Sequence, residues 1–128
     1  MLDHVTFTVS DVERARAFYD KALAPLGVSV MMSVTAEESG GEAYVGFGSN
    51  GKAFFWFSGG SPLTGRLHVA FVTERRALVD AFYAAALAAG GSDNGAPGVR
   101  AHYHPDYYGA FVLDPDGHNI EAVCHLPA

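Results

Sequence analysis

Three side chains in this 128-residue chain have the types and the placement to hold a divalent metal ion: His4, His68 and Glu121. Glu121 sits inside a short apolar segment, NIEAVC, behind the turn signal Asp114-Pro115-Asp116-Gly117. Burying an ionised carboxylate is costly unless something positive meets it. His4 and His68 each open an alternating run, His-Val-x-Phe, and stand 64 positions apart. Two neutral imidazoles and a carboxylate fill three positions of a divalent ion and leave others free for substrate oxygens.

The elements that must carry these residues come in two copies. With the chain shifted by 64 residues and no gaps, His4-Val5 falls on His68-Val69 and Phe7 on Phe71. Ala17-Phe18-Tyr19 falls on Ala81-Phe82-Tyr83, Ala22-Leu23-Ala24 on Ala86-Leu87-Ala88, and Gly27 on Gly91. Ten of the 24 positions from His4 to Gly27 are identical, against roughly one or two at ordinary residue frequencies. The chain reads as a single domain, 1–128, built from two modules at about 1–60 and 66–128, joined by GGSPLTG at 59–65.

Each module opens with an alternating strand and continues into a helix. Ser10-Asp11-Val12-Glu13 has the capping-box pattern with Ser10 as N-cap. Ala15, Phe18, Tyr19, Ala22, Leu23 and Leu26 then recur at helical spacing. The second helix is expected over about 74–89 with Thr73 as N-cap, and Gly27 and Gly90-Gly91 end the two helices. Alternation returns at about 28–35, 42–48 and 52–58, and again at about 99–104, 107–113 and 118–125, with Gly/Asn/Asp turns between. Each module is thus βαβββ, an α+β arrangement.

Side-chain alternation assigns the faces. Val5/Phe7 and Val69/Phe71 are the natural partners of the helices, so His4 and His68 point to the helix-free side. If Ile120 packs on the helix side, Glu121 joins the histidines, and the three converge in one concavity. Descent of both halves from one repeat would also preserve the paired histidines without a metal.

The stretch RAHYHPDYYGAF (100–111) concentrates further chemistry. As a pocket rim it would let Tyr108 or His102 orient a substrate or move a proton near neutral pH, with Arg100 pairing a substrate anion. As a Tyr-rich hairpin it would pack against its own module or a second subunit. Trp56 and Phe57 read as wall or core, Cys124 as core, and His118 and His125 as solvent-facing.

Composition narrows the partners. Fourteen acidic against eight basic residues give a formal net charge of −6, and the longest basic run is Arg75-Arg76. Such a surface gains little from counterion release or anionic headgroups, so neither nucleic acid nor a membrane surface is an expected partner. One cysteine excludes an intrachain disulfide and a cysteine zinc cage. MLDHVTF carries no leader pattern, so a soluble, cytoplasmic protein is expected.

At these residues the chain resembles the vicinal oxygen chelate superfamily, which includes glyoxalase I, extradiol dioxygenases, fosfomycin resistance enzymes and bleomycin resistance proteins. The resemblance rests on the paired βαβββ modules, the HV-x-F strand starts, the AFY helices and DPDG-x-x-IE, and it covers essentially the whole chain. It implies a cupped mixed sheet with helices on its outer face. It also implies a divalent metal (Fe, Mn, Zn or Ni) on His4, His68 and Glu121, and a homodimer. Aligning GKAFFWFSG (51–59) with GHNIEAVCH (117–125) puts Phe55 at the fourth ligand position, which departs from the glyoxalase I pattern. The expected function is a metal-dependent lyase or dioxygenase acting on a small oxygenated or electrophilic molecule by bidentate coordination. The alternative is metal-free sequestration of a small molecule, as in bleomycin resistance proteins, with Phe55, Trp56 and Tyr108 lining an aromatic groove. A third reading, a structural or regulatory dimerisation unit, requires neither metal nor ligand.

Overall fold

The computed structural model describes residues 1–128. The first module runs β1 (Val5–Thr8), α1 (Val12–Ala22), β2 (Ser29–Val34), a one-turn helix α2 (Ala36–Ser39), β3 (Tyr44–Ser49) and β4 (Lys52–Ser58). The second runs β5 (His68–Val72), α3 (Arg76–Ala88), β6 (Ser92–Val99), β7 (Tyr108–Leu113) and β8 (Asn119–Cys124). The modules make separate four-stranded sheets of equivalent order, β1-β4-β3-β2 and β5-β8-β7-β6. In each, the first strand lies parallel to the last and the other pairings are antiparallel. No helix is long and apolar enough to cross a membrane.

Several boundaries differ from the sequence expectation. α1 is capped by Asp11, whose side chain accepts from the Arg14 N–H, because Ser10 is drawn away to Asp116 of the second module. After Leu23 the helix tightens into a 3-10 turn at Ala24-Pro25-Leu26 and stops at Gly27, whose φ of 75° is left-handed. α3 begins at Arg76, and Thr73 does not cap it: its N–H is held by the Val123 carbonyl. The largest difference is in the third quarter of the chain. Residues 99–104 are mostly a turn, and the strand is β6 at Ser92–Val99, through SDNGAPGV. β6 is an edge strand paired only with β7, with register shifts around Gly95. An edge position tolerates the missing N–H of Pro97, and a bulge suits Gly95.

One core binds the modules. Twenty-one buried apolar residues drawn from both form a single cluster. Tyr19 packs its ring on Phe47, Phe55 and Phe57 of the first sheet, while Phe18, next along α1, reaches the second. Phe18 and Val112 of β7 meet at Gly91, where an added Cβ would lie 2.8 and 2.6 Å from them. Phe55 and Phe71 touch across the joint at 5.2 Å between ring centroids. Core-facing side chains of both sheets, of α1 and of α3 thus share one interior.

Asp114-Pro115-Asp116-Gly117-His118 bolts this joint. The Asp114 carboxylate accepts from the Asp116 and His118 N–H groups at 2.9 Å and from the Tyr19 hydroxyl. Asp116 accepts from the Ser10 N–H at 3.0 Å, from the Ser10 hydroxyl and from Arg14. Burial and the Asp114 carboxylate push the Tyr19 phenol well above its usual range. His118, expected to face solvent, is 4% exposed and sits edge-on to Phe7, because the turn folds back onto the first module.

Candidate functional site

β8 lies between β5 and β7, so its side chains are set by register on both flanks. Ile120, Ala122 and Cys124 go to the core; Glu121, opposite Ala70 and Phe111, goes to the other face. It is nonetheless only 1% exposed. Ala70 is small enough to leave room beside it, and Tyr107 and His68 cover the rest. Its Oε1 lies 2.7 Å from Nε2 of His68, and its Oε2 accepts from the Tyr107 hydroxyl. Both oxygens of a buried carboxylate are thus engaged, which is what burial demands. The His68 side chain stays about half exposed, at 52%, so the pair opens to solvent on the imidazole side.

Tyr107 comes from the end of the 100–107 turn. The Arg100 N–H bonds the Tyr107 carbonyl at 2.7 Å, and the Tyr107 N–H bonds the His104 carbonyl at 3.1 Å. Its ring is braced edge-on by Tyr103, His104 and His125. Burial first, and the hydrogen bond to Glu121 second, hold its phenol far above the ordinary value, so it is a donor at every physiological pH. His104 and His125 pair through Nε2 and Nδ1 at 2.7 Å, tying the segment after β8 to this turn.

The other sequence candidates scatter. His4 is on the outward face of the first sheet, bonded to Asp3 at 2.6 Å with Lys52 beyond it. Its hydrogen-bond partner is Asp3 and not His68 or Glu121, although one cavity of about 400 Å³ is lined by both His4 and Ala70, the ladder partner of Glu121. No group of three His, Cys, Asp or Glu side chains within the chain is placed to share an ion. Phe55 is fully buried against Phe7, Tyr19 and Phe71, at the inner wall of that cavity of about 400 Å³, which His4 and Phe54 also line. The ladder pairs Thr6 with Trp56 as it pairs Ala70 with Glu121, so Trp56 is the register counterpart of Glu121. Trp56 lies over Gly46, where a Cβ would come within 2.7 Å of the indole, and is partly exposed on the His4 face.

Tyr108 also points to the helix side. Its hydroxyl donates to Asp80 of α3 at 2.6 Å and Arg76 lies over its ring. His102 is exposed in the turn, its ring tilted against that of Tyr103 at 4.2 Å between centroids. Arg100 donates to the carbonyls of Gly98 and Ala96 at 2.9 and 2.7 Å and covers Phe111. Tyr107 is not among the sequence candidates, yet strand parity carries the signal: with Phe111 opposite Glu121, Gly109 and then Tyr107 share its side.

The donor chemistry suits a divalent ion. Two donors each about 2.1 Å from one ion sit roughly 3 Å apart in neighbouring positions, and the 2.7 Å between His68 and Glu121 is a few tenths short of that. Holding an ion asks His68 to keep its proton on Nδ1. Tyr107 meanwhile occupies the carboxylate oxygen that the ion would not use.

The family model described as the Glyoxalase/Bleomycin resistance protein/Dioxygenase superfamily matches residues 1–122. Among solved structures, a glyoxalase/bleomycin resistance protein from Albidiferax ferrireducens T118 is similar at 28% identity and a TM-score of 0.74. The similarity spans 97% of this chain and 98% of that one. The fosfomycin resistance protein FosX from Listeria monocytogenes, in complex with Mn(II) and sulfate, shares the fold at 20% identity. Its TM-score is 0.70, over 97% of this chain and 91% of that one. A glyoxalase I variant from Zea mays shares it at 20% identity and a TM-score of 0.70, over 99% of this chain and 45% of that one. No curated protein sequence matches the chain significantly.

Proposed function

This chain belongs to the Glyoxalase/Bleomycin resistance protein/Dioxygenase superfamily, and we propose that it is a metal-dependent enzyme within it, acting on a small oxygenated or electrophilic molecule. The observation that carries this reading is the buried Glu121 carboxylate with one oxygen presented to the half-exposed His68 imidazole. His68 and Glu121 hold the ion from one chain, and His4 of a second copy completes the set. A homodimer with twofold symmetry builds two such sites, each from the first sheet of one copy and the second sheet of the other.

When bound, the ion supplies Lewis acidity to neighbouring substrate oxygens. The chain's own residues do the rest. Tyr107 fixes the Glu121 carboxylate by holding Oε2, so that Oε1 alone is offered outward. Phe111, opposite Glu121, walls the site on one side. Trp56 brings an aromatic surface on the same face as His4.

The test is metal analysis of protein purified without chelator and then exposed to Fe(II), Mn(II), Zn(II) or Ni(II), read with the metal-dependent rise in Tm. About one ion per chain is expected, lost in His68→Ala and Glu121→Gln; no stoichiometric ion with any of the four would overturn the reading. A second reading is favoured by the same carboxylate, since His68 and Tyr107 already satisfy both its oxygens. On that reading the protein sequesters a small molecule without metal, and ligand binding is indifferent to EDTA.

A further inference from the structure

Beside His68, on the face of the second sheet that carries Glu121, lies a cavity of about 470 Å³ lined by Arg66, His68, Asn94, Leu113, Gly117 and Asn119, among others. Its polar groups are mostly donors. Asn94 gives one amide N–H to the Asn119 side-chain carbonyl at 3.2 Å, which leaves the Asn119 amide nitrogen turned to donate elsewhere. The ion pairs of the chain engage Arg14, Lys52 and Arg76, so the Arg66 guanidinium has no carboxylate partner. No acidic residue lines the cavity. The adjacent Asp93 does not line it and accepts from the Tyr83 hydroxyl and the Gly95 N–H through Oδ1. In a chain of net charge −6, a donor-lined, carboxylate-free cavity is a local exception.

We propose that this cavity is an oxyanion subsite, in which Arg66, with Asn94 and Asn119, binds a carboxylate or phosphoryl group of the substrate whose reacting oxygens lie at His68 and Glu121. The inference rests on the reading of that face as the substrate side. It replaces Arg100 as the anion partner, since the Arg100 guanidinium is spent on two backbone carbonyls. A guanidinium offers a planar fork of donors that matches either oxyanion.

The test uses the full chain, freed of metal with EDTA so that no anion can bind through an ion. Inorganic phosphate and acetate are titrated separately at constant ionic strength, read by the NMR shifts of the Gly117 and Asn119 backbone amides and the Asn94 side-chain amide. Saturable shifts with one or both anions are expected, and the anion that saturates identifies the group. Arg66→Gln should weaken binding about tenfold or more, Arg66→Lys should restore part of it, and Lys21→Gln, an equal loss of charge on α1, should leave it unchanged. Arg66 and Lys21 are exposed, so neither change disturbs the core. Absence of saturable shifts with both anions, or shifts unchanged in Arg66→Gln, overturns the proposal. Metal content measured on the same variants keeps the two readings apart. Anion binding without stoichiometric metal sinks only the metalloenzyme, and metal binding without anion binding sinks only the subsite.

Discussion

Tyr107→Phe removes one hydroxyl and leaves the ring, so it isolates the hydrogen bond to Glu121. A hydrogen bond to a charged group contributes about 1.5–3 kcal/mol. Glu121 is 1% exposed, which argues for the upper part of that range, but the Tyr107 ring is only half-buried and water can partly replace its hydroxyl. A loss of about 2 kcal/mol follows. At an unfolding entropy of about 2.1 cal/mol/K per residue, a chain of this length loses about 7 °C in Tm for that amount. The assay is thermal unfolding by circular dichroism in EDTA at one fixed protein concentration, since dimerisation would make Tm concentration-dependent. The same change in a Glu121→Leu background should cost less than about 0.5 kcal/mol, because the hydroxyl has already lost its acceptor. Equal losses in the two backgrounds, or no loss in the first, would refute the assignment of Tyr107 as the residue that holds Glu121.

Three further outcomes are expected. Asp114→Ala strips a buried joint of three accepted hydrogen bonds and orphans the Tyr19 hydroxyl; a loss of about 3 kcal/mol or more is expected by chemical denaturation, and a loss below about 1 kcal/mol would contradict the bolt. The phenols of Tyr19 and Tyr107 are raised in the folded chain. Their contribution is therefore fully present below the unfolded value near 10 and is lost as pH climbs above it; ultraviolet titration should show these tyrosines ionising after the exposed ones, and all six titrating together near 10 would count against it. Mixing His4→Ala with Glu121→Gln protein after partial unfolding should restore metal binding, because each mixed dimer regains one complete site; no recovery would mean the two residues do not meet across copies.

Much of this architecture was legible in the sequence, for physical reasons. The 64-residue self-match, the alternation around His4 and His68, and the helical spacing of Phe18, Tyr19 and Ala22 all report local periodicity, which burial enforces directly. The parity that puts Glu121 on the face of His68 is of the same kind. What failed depended on longer-range facts. His102 and His104 alternate like a strand, but backbone hydrogen bonds within 100–107 close that segment into a turn. SDNGAPGV looks like a loop, but an edge strand asks for pairing on one side only. Matching Gly51 to Gly117 put Phe55 opposite the Glu121 position, whereas the strand register is one residue away, at Trp56. That His4 does not join His68 and Glu121 around one point within the chain depends on how the two sheets are placed, which no single-strand pattern encodes.

The bolt at Asp114 also sets a schedule. Its acceptor arrives 95 positions after the Tyr19 hydroxyl it must receive. The first module ends at β4, Ser58, so at a synthesis rate of about 5–20 residues per second it is complete roughly 3–11 s before Asp114 is made. During that interval Phe7, Phe55 and Phe18 lack the surfaces that bury them in the finished chain. Chaperone engagement and aggregation in the cell should therefore depend on the elongation rate across residues 60–114, where slow codons would lengthen the exposure without changing a single residue.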